Sequence, residues 1–385
     1  MVSINSIKQV LLVIISVCNA LVFIFSSGVF YNATLFGLGM VSTLICSMVA
    51  LVLSAFERGK QGYVLSVIFM FLAGIFSWWL HPSGSFGPFL ISLLGYTAIP
   101  SFMCCLYNTV ITEKLKSWLR RISVLYLFVF VFLAFYKPIY WGQTMLSLGY
   151  SNPNRAGTYM MLVFIMILLL FQDVMRPLKK ALVVFLLAAL MSVIMMTQCR
   201  TAFIISLICA IFMIVPKRFI VKKKYTAICM AAPLLFSSIY MALYNSGKFS
   251  EVTLLNKTIF SGRQSTFLSE YISFSVFGDF ERLGFGGLNI ATCVISSFGI
   301  VGAILFFCSY WKFFSNLFKR RELYNSKNLN YAIFCLSTVI LHGCTETDLF
   351  VGGGAYAGLF ACIVASAGIV QDDDIVSKPE RNDRL

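Results

Sequence analysis

Four arginines and a handful of carboxylates stand out in a chain that otherwise carries few charges: Arg155, Arg200, Arg263 and Arg282, with Glu251, Glu270, Asp279, Glu281, Glu346 and Asp348. A guanidinium stays ionised and its planar fork meets two phosphate oxygens at once, so arginines at an apolar boundary suit a diphosphate. A carboxylate, or the imidazole of His342, can take a proton from a hydroxyl. The same residues would also serve as ordinary ion pairs on a solvated face. Which of them can act together depends on the elements that carry them.

Those elements are dictated by composition. With 59% hydrophobic and only 12% charged residues and a mean hydropathy of +0.87, the chain reads as a polytopic membrane protein. Crossing the hydrocarbon takes about 20 mostly apolar residues, and every backbone polar group must be satisfied within the segment, so the apolar runs predict helices. Strand-like alternation is missing. Spans are expected at roughly 8–27, 33–56, 63–80, 88–110, 122–136, 156–172, 180–197, 200–215, 225–244, 289–311, 331–346 and 350–369, about twelve in all. The first follows Lys8 and lacks a small-x-small cleavage site, which reads as a span and not a removed leader.

Charge tests this arrangement, because Lys and Arg accumulate on the cytoplasmic side. The loops "ERGKQG", "ITEKLKSWLRR", "QDVMRPLKK", "PKRFIVKKK" and "KFFSNLFKRRELYNSK", together with both termini, hold most of the 30 Lys and Arg residues and nearly all of the +15 net charge. The fold class is therefore all-α. A single transmembrane domain covers 1–370, with both termini cytoplasmic, a large outer loop at about 245–288 and a cytoplasmic tail over 371–385. The aromatic content of that loop predicts short interfacial helices packed over the membrane domain.

Arg200 lies inside an apolar run from Ala181 to Val215 that is too long for one span and has basic loops at both ends. Two helices must fit, with a tight turn near Arg200, which puts the arginine at the outer face. Its simplest role there is a side chain snorkelling at a helix end.

Several chemistries are disfavoured. The basic residues are scattered through short loops without interleaved aromatics, so anionic lipid is a sufficient partner and nucleic acid is not expected. Most of the 12 cysteines fall in spans, no CxxC occurs, and His81 and His342 are the only histidines, so no metal site is expected. The outer positions of Cys199 and Cys344 leave a bridge between them open. "GFGGLN" follows no strand and is not a dinucleotide fingerprint. In "SNPNRAG", Asn152 and Asn154 read most simply as turn and cap residues.

In chain order, "NPNRAG" before a span, "QCRTAFI" at a helix start, "SGRQSTF" in the long outer loop and "GFGGLN" leading to "SSFGIVGAILFF" resemble the O-antigen polymerase and O-antigen ligase superfamily. The resemblance covers about residues 150–310. It implies glycosyl transfer at the periplasmic face of a bacterial inner membrane. Arg200 and Arg263 would engage the diphosphate of an undecaprenyl-linked glycan. A base would come from Glu281, Asp279, His342 or Glu346, among which spacing does not choose. Arg155, Asn154, Arg282 and Asp348 are further substrate-binding candidates. Since a diphosphate already leaves readily, no cofactor or metal is implied. The implied partners are undecaprenyl-diphosphate-linked oligosaccharides, membrane lipid and a chain-length regulator protein. Ligases of the superfamily place a histidine before the span that carries the G-x-x-G pair, here Gly299 and Gly302. This chain has "GLNIATCVISS" there, which favours a polymerase. The alternatives are a lipid-linked oligosaccharide flippase or other transporter, the ligase itself, and a structural or receptor protein. Transporters commonly carry midplane charges and internal repeats, and neither is legible here.

Overall fold

The computed structural model describes residues 3–80, 82, 86–107, 109–142, 144–171, 177–214, 220–249, 251–255, 257–258, 260, 275–278, 289–324, 327–351 and 354–367. Its helices are α1 (Ile4–Phe25), α2 (Ala33–Ala55), α3 (Gln61–Leu80), α4 (Phe86–Leu106), α5 (Glu113–Tyr136), α6 (Pro153–Phe171), α7 (Pro177–Met196), α8 (Arg200–Ile214), α9 (Lys223–Asn245), α10 (Ile290–Tyr324), α11 (Lys327–Ile340) and α12 (Gly354–Ala367). Among the described residues nine of these are long and apolar enough to cross a membrane, and α8, the stretch around α11 and α12 are shorter apolar helices. A 3₁₀ turn, Leu341–Cys344, continues α11, and a single turn, Asp348–Val351, precedes α12.

Helix starts follow from capping. Ser3, Asn32 and Thr112 accept the amides of Ser6, Leu35 and Leu115 and so fix the first turns of α1, α2 and α5. The cap at Thr112 starts α5 well before the expected 122, because the basic stretch is itself helical. Arg120 on that stretch donates through Nε to the carbonyl of Leu170 at the end of α6, 3.0 Å away. α10 likewise runs past the expected 311 to Tyr324, where Arg320 donates to the carbonyl of Tyr107 and Arg321 to that of Val221. Cations thus satisfy carbonyls that helix ends and loops leave open.

These contacts gather the basic loops at one end of the bundle. Lys8 meets Glu57 at 2.5 Å, Lys60 meets it at 3.0 Å, and Lys60 also donates to the carbonyl of Cys105. Opposite lie the turns after α1, α5, α7 and α11. There Gly28 donates to the carbonyl of Gly149 at 2.8 Å, an approach that leaves no room for a Cβ on either residue. The connection after α5 contains a short antiparallel pair, β1 (Tyr140–Trp141) with β2 (Met145–Leu146).

In the described part of the long loop after α9, β3 (Thr253–Leu254) pairs antiparallel with β4 (Lys257–Thr258). The rest of the stretch over which short interfacial helices are expected lies largely outside the described residues. Leu255, which follows β3, sits at φ +52°, in the left-handed region. Residues 275–278 lie against a break in α10 at Gly299, whose φ is +72°. The amides of Ile300 and Val301, freed by the break, donate to the carbonyls of Ser275 and Val276.

At the centre stands α6, buried along nearly its whole length, with α5, α7, α8, α11 and α12 in contact with it. α7 is the reverse: only Leu190, Val193 and Ile194 are buried. The central helix carries Asn154 and Thr158 on its first turns, and α8 begins at Arg200 beside it.

Candidate functional site

The turn between α7 and α8 is built by local bonds. Thr197 donates its hydroxyl to the carbonyl of Ile194 and accepts the amide of Cys199, while Gln198 donates its amide to the carbonyl of Met195. Cys199 then accepts the amide of Phe203 and opens α8 with Arg200 as its first residue. Gly157 on α6 lets the turn come close, since a Cβ there would lie 2.4 Å from that of Cys199. Arg200 accordingly projects from the tip of a helical hairpin, at the end of the molecule away from the basic cluster.

Beside it, the chain after the 3₁₀ turn is stitched to two helices, α8 and α6. Thr345 and Thr201 share a hydrogen bond of 2.7 Å, and Asn154 donates through Nδ2 to Oε1 of Glu346 at 2.6 Å. Asn289, just ahead of α10, donates to the carbonyl of Pro233 on α9. His342 is fully buried, with Nε2 2.9 Å from the Thr158 hydroxyl. That hydroxyl gives its proton to the carbonyl of Asn154, which leaves His342 as the donor at Nε2.

Arg200, Asn154, Thr201, Thr345 and Glu346 border a cavity of about 830 Å³. Its polar end is lined by Arg200, Asn154, Gln198, Thr201, Thr345 and Glu346. Its walls are the apolar faces of α8 and α9, with Ile204, Ile208, Ala232, Phe236, Ile239 and Leu243. Leu254 and Phe260, from the chain after α9, cover it. Arg200 donates to the carbonyl of Thr258 and Tyr240 to that of Phe260, so both side chains hold the cover in place. The Phe260 ring lies edge-on to Tyr240 and Tyr244.

Of the residues singled out by sequence, Arg200, Asn154 and Glu346 therefore share one cavity. His342 stands behind its wall and does not line it. Arg155 is exposed and donates to Ser151 at 3.0 Å, away from the cavity. Asp348 opens the single turn before α12. Arg263, Asp279, Glu281 and Arg282 lie outside the described residues. Asn152 has the turn-capping role read for it, accepting the amide of Asn154. Asn154 itself supports a carboxylate 192 residues away. Cys199 and Cys344 are both free thiols.

Sequence reasoning passed over Gln198, Thr201, Thr345, Tyr240 and Phe260. The first two adjoin Arg200 in "QCRTAFI" and Thr345 adjoins Glu346, so neighbourhood alone was their signal. Nothing in the chain pointed to Tyr240 or Phe260. Among the described residues no three His, Cys, Asp or Glu side chains group as metal ligands. No family model matches the chain, and no curated protein matches it.

Proposed function

We propose that this protein is a membrane glycosyltransferase that polymerises lipid-linked oligosaccharide repeat units, as O-antigen polymerases do, at the periplasmic face of a bacterial inner membrane. The observation that carries this reading is the cavity's division. One cation and a supported carboxylate stand at a polar end, and an apolar slot between α8 and α9 leads away from it. An amphiphile with an anionic head and a long isoprenoid tail matches both parts.

In this reaction a sugar hydroxyl on one lipid-linked unit attacks the anomeric carbon of the other. The new C–O bond forms as the bond from that carbon to the diphosphate oxygen breaks. Glu346 accepts the hydroxyl proton, and Asn154 holds its carboxylate in place. Arg200 stabilises the charge gained by the departing diphosphate, a contribution that grows with water exclusion. His342 orders the first turns of α6 through Thr158. Arg263 keeps its role from the superfamily resemblance, as a second diphosphate contact.

Deleting the gene and resolving the surface lipopolysaccharide on a gel tests the reading. A single repeat on lipid A core is expected. Core alone would point to flipping or ligation, and an unchanged ladder would overturn the proposal.

A further inference from the structure

Gln198 holds a backbone conformation that side chains rarely adopt, with φ +55° in the turn between α7 and α8. Glycine or asparagine serves such a turn with less strain. Yet the side chain is not released to solvent. It is 8% exposed and forms part of the cavity's polar end beside Arg200. Its Nε2 lies 3.5 Å from the carbonyl of Thr144, at the long limit of a hydrogen bond. A strained residue with an inward amide marks a position where the side chain is used.

The neighbours indicate the use. Asn154, Thr201 and Thr345 surround the same end, all neutral groups that both donate and accept. A diphosphate needs cations, which Arg200 supplies. Hydroxyls and acetamido groups of a sugar both donate and accept, and are matched by amides and hydroxyls such as these. Glu346 on the same wall opposes a second carboxylate.

We infer that Gln198 contacts the sugar attached to the lipid diphosphate and selects for a neutral hexose or N-acetylhexosamine there. This rests on the lipid-diphosphate reading above and names the sugar class that the same cavity takes.

The test uses the full-length protein in detergent and three lipids: undecaprenyl diphosphate, the same lipid with one N-acetylhexosamine, and the same lipid with one uronic acid. Native mass spectrometry gives the affinities and a melting scan the stability. The wild type is expected to bind the N-acetylhexosamine lipid roughly five- to tenfold more tightly than the bare lipid, the worth of one or two neutral hydrogen bonds. The uronic acid lipid should bind more weakly than the N-acetylhexosamine lipid. Gln198→Gly, which suits the backbone, should abolish the preference for the N-acetylhexosamine lipid, with bare-lipid binding retained and no fall in the melting midpoint. Gln198→Asn should retain part of it.

An undiminished preference in Gln198→Gly would overturn the inference, as would a lowered midpoint with equal loss on all three lipids, the mark of a purely structural role. Equal binding of the two glycosylated lipids would remove the selection for neutral sugars. If the wild type fails to bind even the bare lipid, the diphosphate reading itself fails. If it binds the bare lipid but gains nothing from the sugar, only the role of Gln198 fails.

Discussion

Asn154 donates to Glu346 at 2.6 Å, which joins the first turn of the central helix to the chain that follows the 3₁₀ turn. The bond holds a carboxylate at the polar end of the cavity, on the wall it shares with Arg200. Of the two described candidates for the base, Glu346 lines the cavity and His342 does not, while Asp279 and Glu281 lie outside the described residues.

Glu346→Gln should lower repeat-unit polymerisation by roughly 10²–10⁴, the usual worth of a positioned base, with insertion into the membrane unchanged. Asn154→Ala should cost about tenfold, since the carboxylate remains but loses one charge-assisted partner. The measurement is ladder length in cells together with turnover of purified protein. Full activity in Glu346→Gln would transfer the role to a residue of the outer loop.

Arg200→Ala should reduce turnover by about 10²–10³, as expected for removal of one stabilising donor at a developing anion. Arg200→Lys should recover only part, because an ammonium supplies charge without the bidentate fork. Normal ladders from both variants would sink the diphosphate contact.

Gly157→Val should disturb the site from within the packing. The added side chain meets Cys199 and Thr197 and must push the hairpin turn away from α6. A cost of about 1–3 kcal/mol is expected from overpacking, read as a lower melting midpoint in detergent, with Arg200 displaced and activity lost. A variant as stable and active as the wild type would show that the turn yields freely.

The basic end makes a separate prediction about pH. Burial, and after it the neighbouring Lys8, bring the Lys60 ammonium down to about 8. From there to its ordinary value of 10.5 the unfolded chain retains a proton that the folded one has released, so stability contributed by Lys60 rises with pH across that window. Lys60→Met should flatten the rise in melting midpoint between pH 8 and 10.5, and an unaltered slope would show that other groups cause it. Burial pushes the Glu57 carboxyl up, but Lys8 and Lys60 outweigh it and hold the carboxyl below its usual value. Its stabilisation is therefore present above the ordinary carboxylate range and is lost as the pH falls through the lowered value. Glu57→Ala leaves two buried lysines without this partner and should cost about 3–5 kcal/mol.

Sequence alone determined where the long apolar segments lie, that basic residues favour alternate connections, and that Arg200 sits at a tight turn. Each depends on local composition, because transfer of twenty residues into an apolar medium is a sum over those residues. Helix ends were less legible. α5 and α10 extend through basic stretches, where Arg120 and Arg320 find carbonyls at the end of α6 and just after α4, contacts that no local window contains.

Which helix stands at the centre was decided only by tertiary structure. α7 is more hydropathic than α6, yet α7 is peripheral and α6 buried. Lipid chains and protein interiors are similarly apolar, so hydropathy cannot tell one surrounding from the other. Small residues and polar partners make the difference: Gly157 admits the hairpin turn, and Asn154 and Thr158 find Glu346 and His342. The same limit applied to the candidate site. Arg155 and Arg200 read alike as outer arginines, and only packing turned Arg200 into the cavity and left Arg155 exposed.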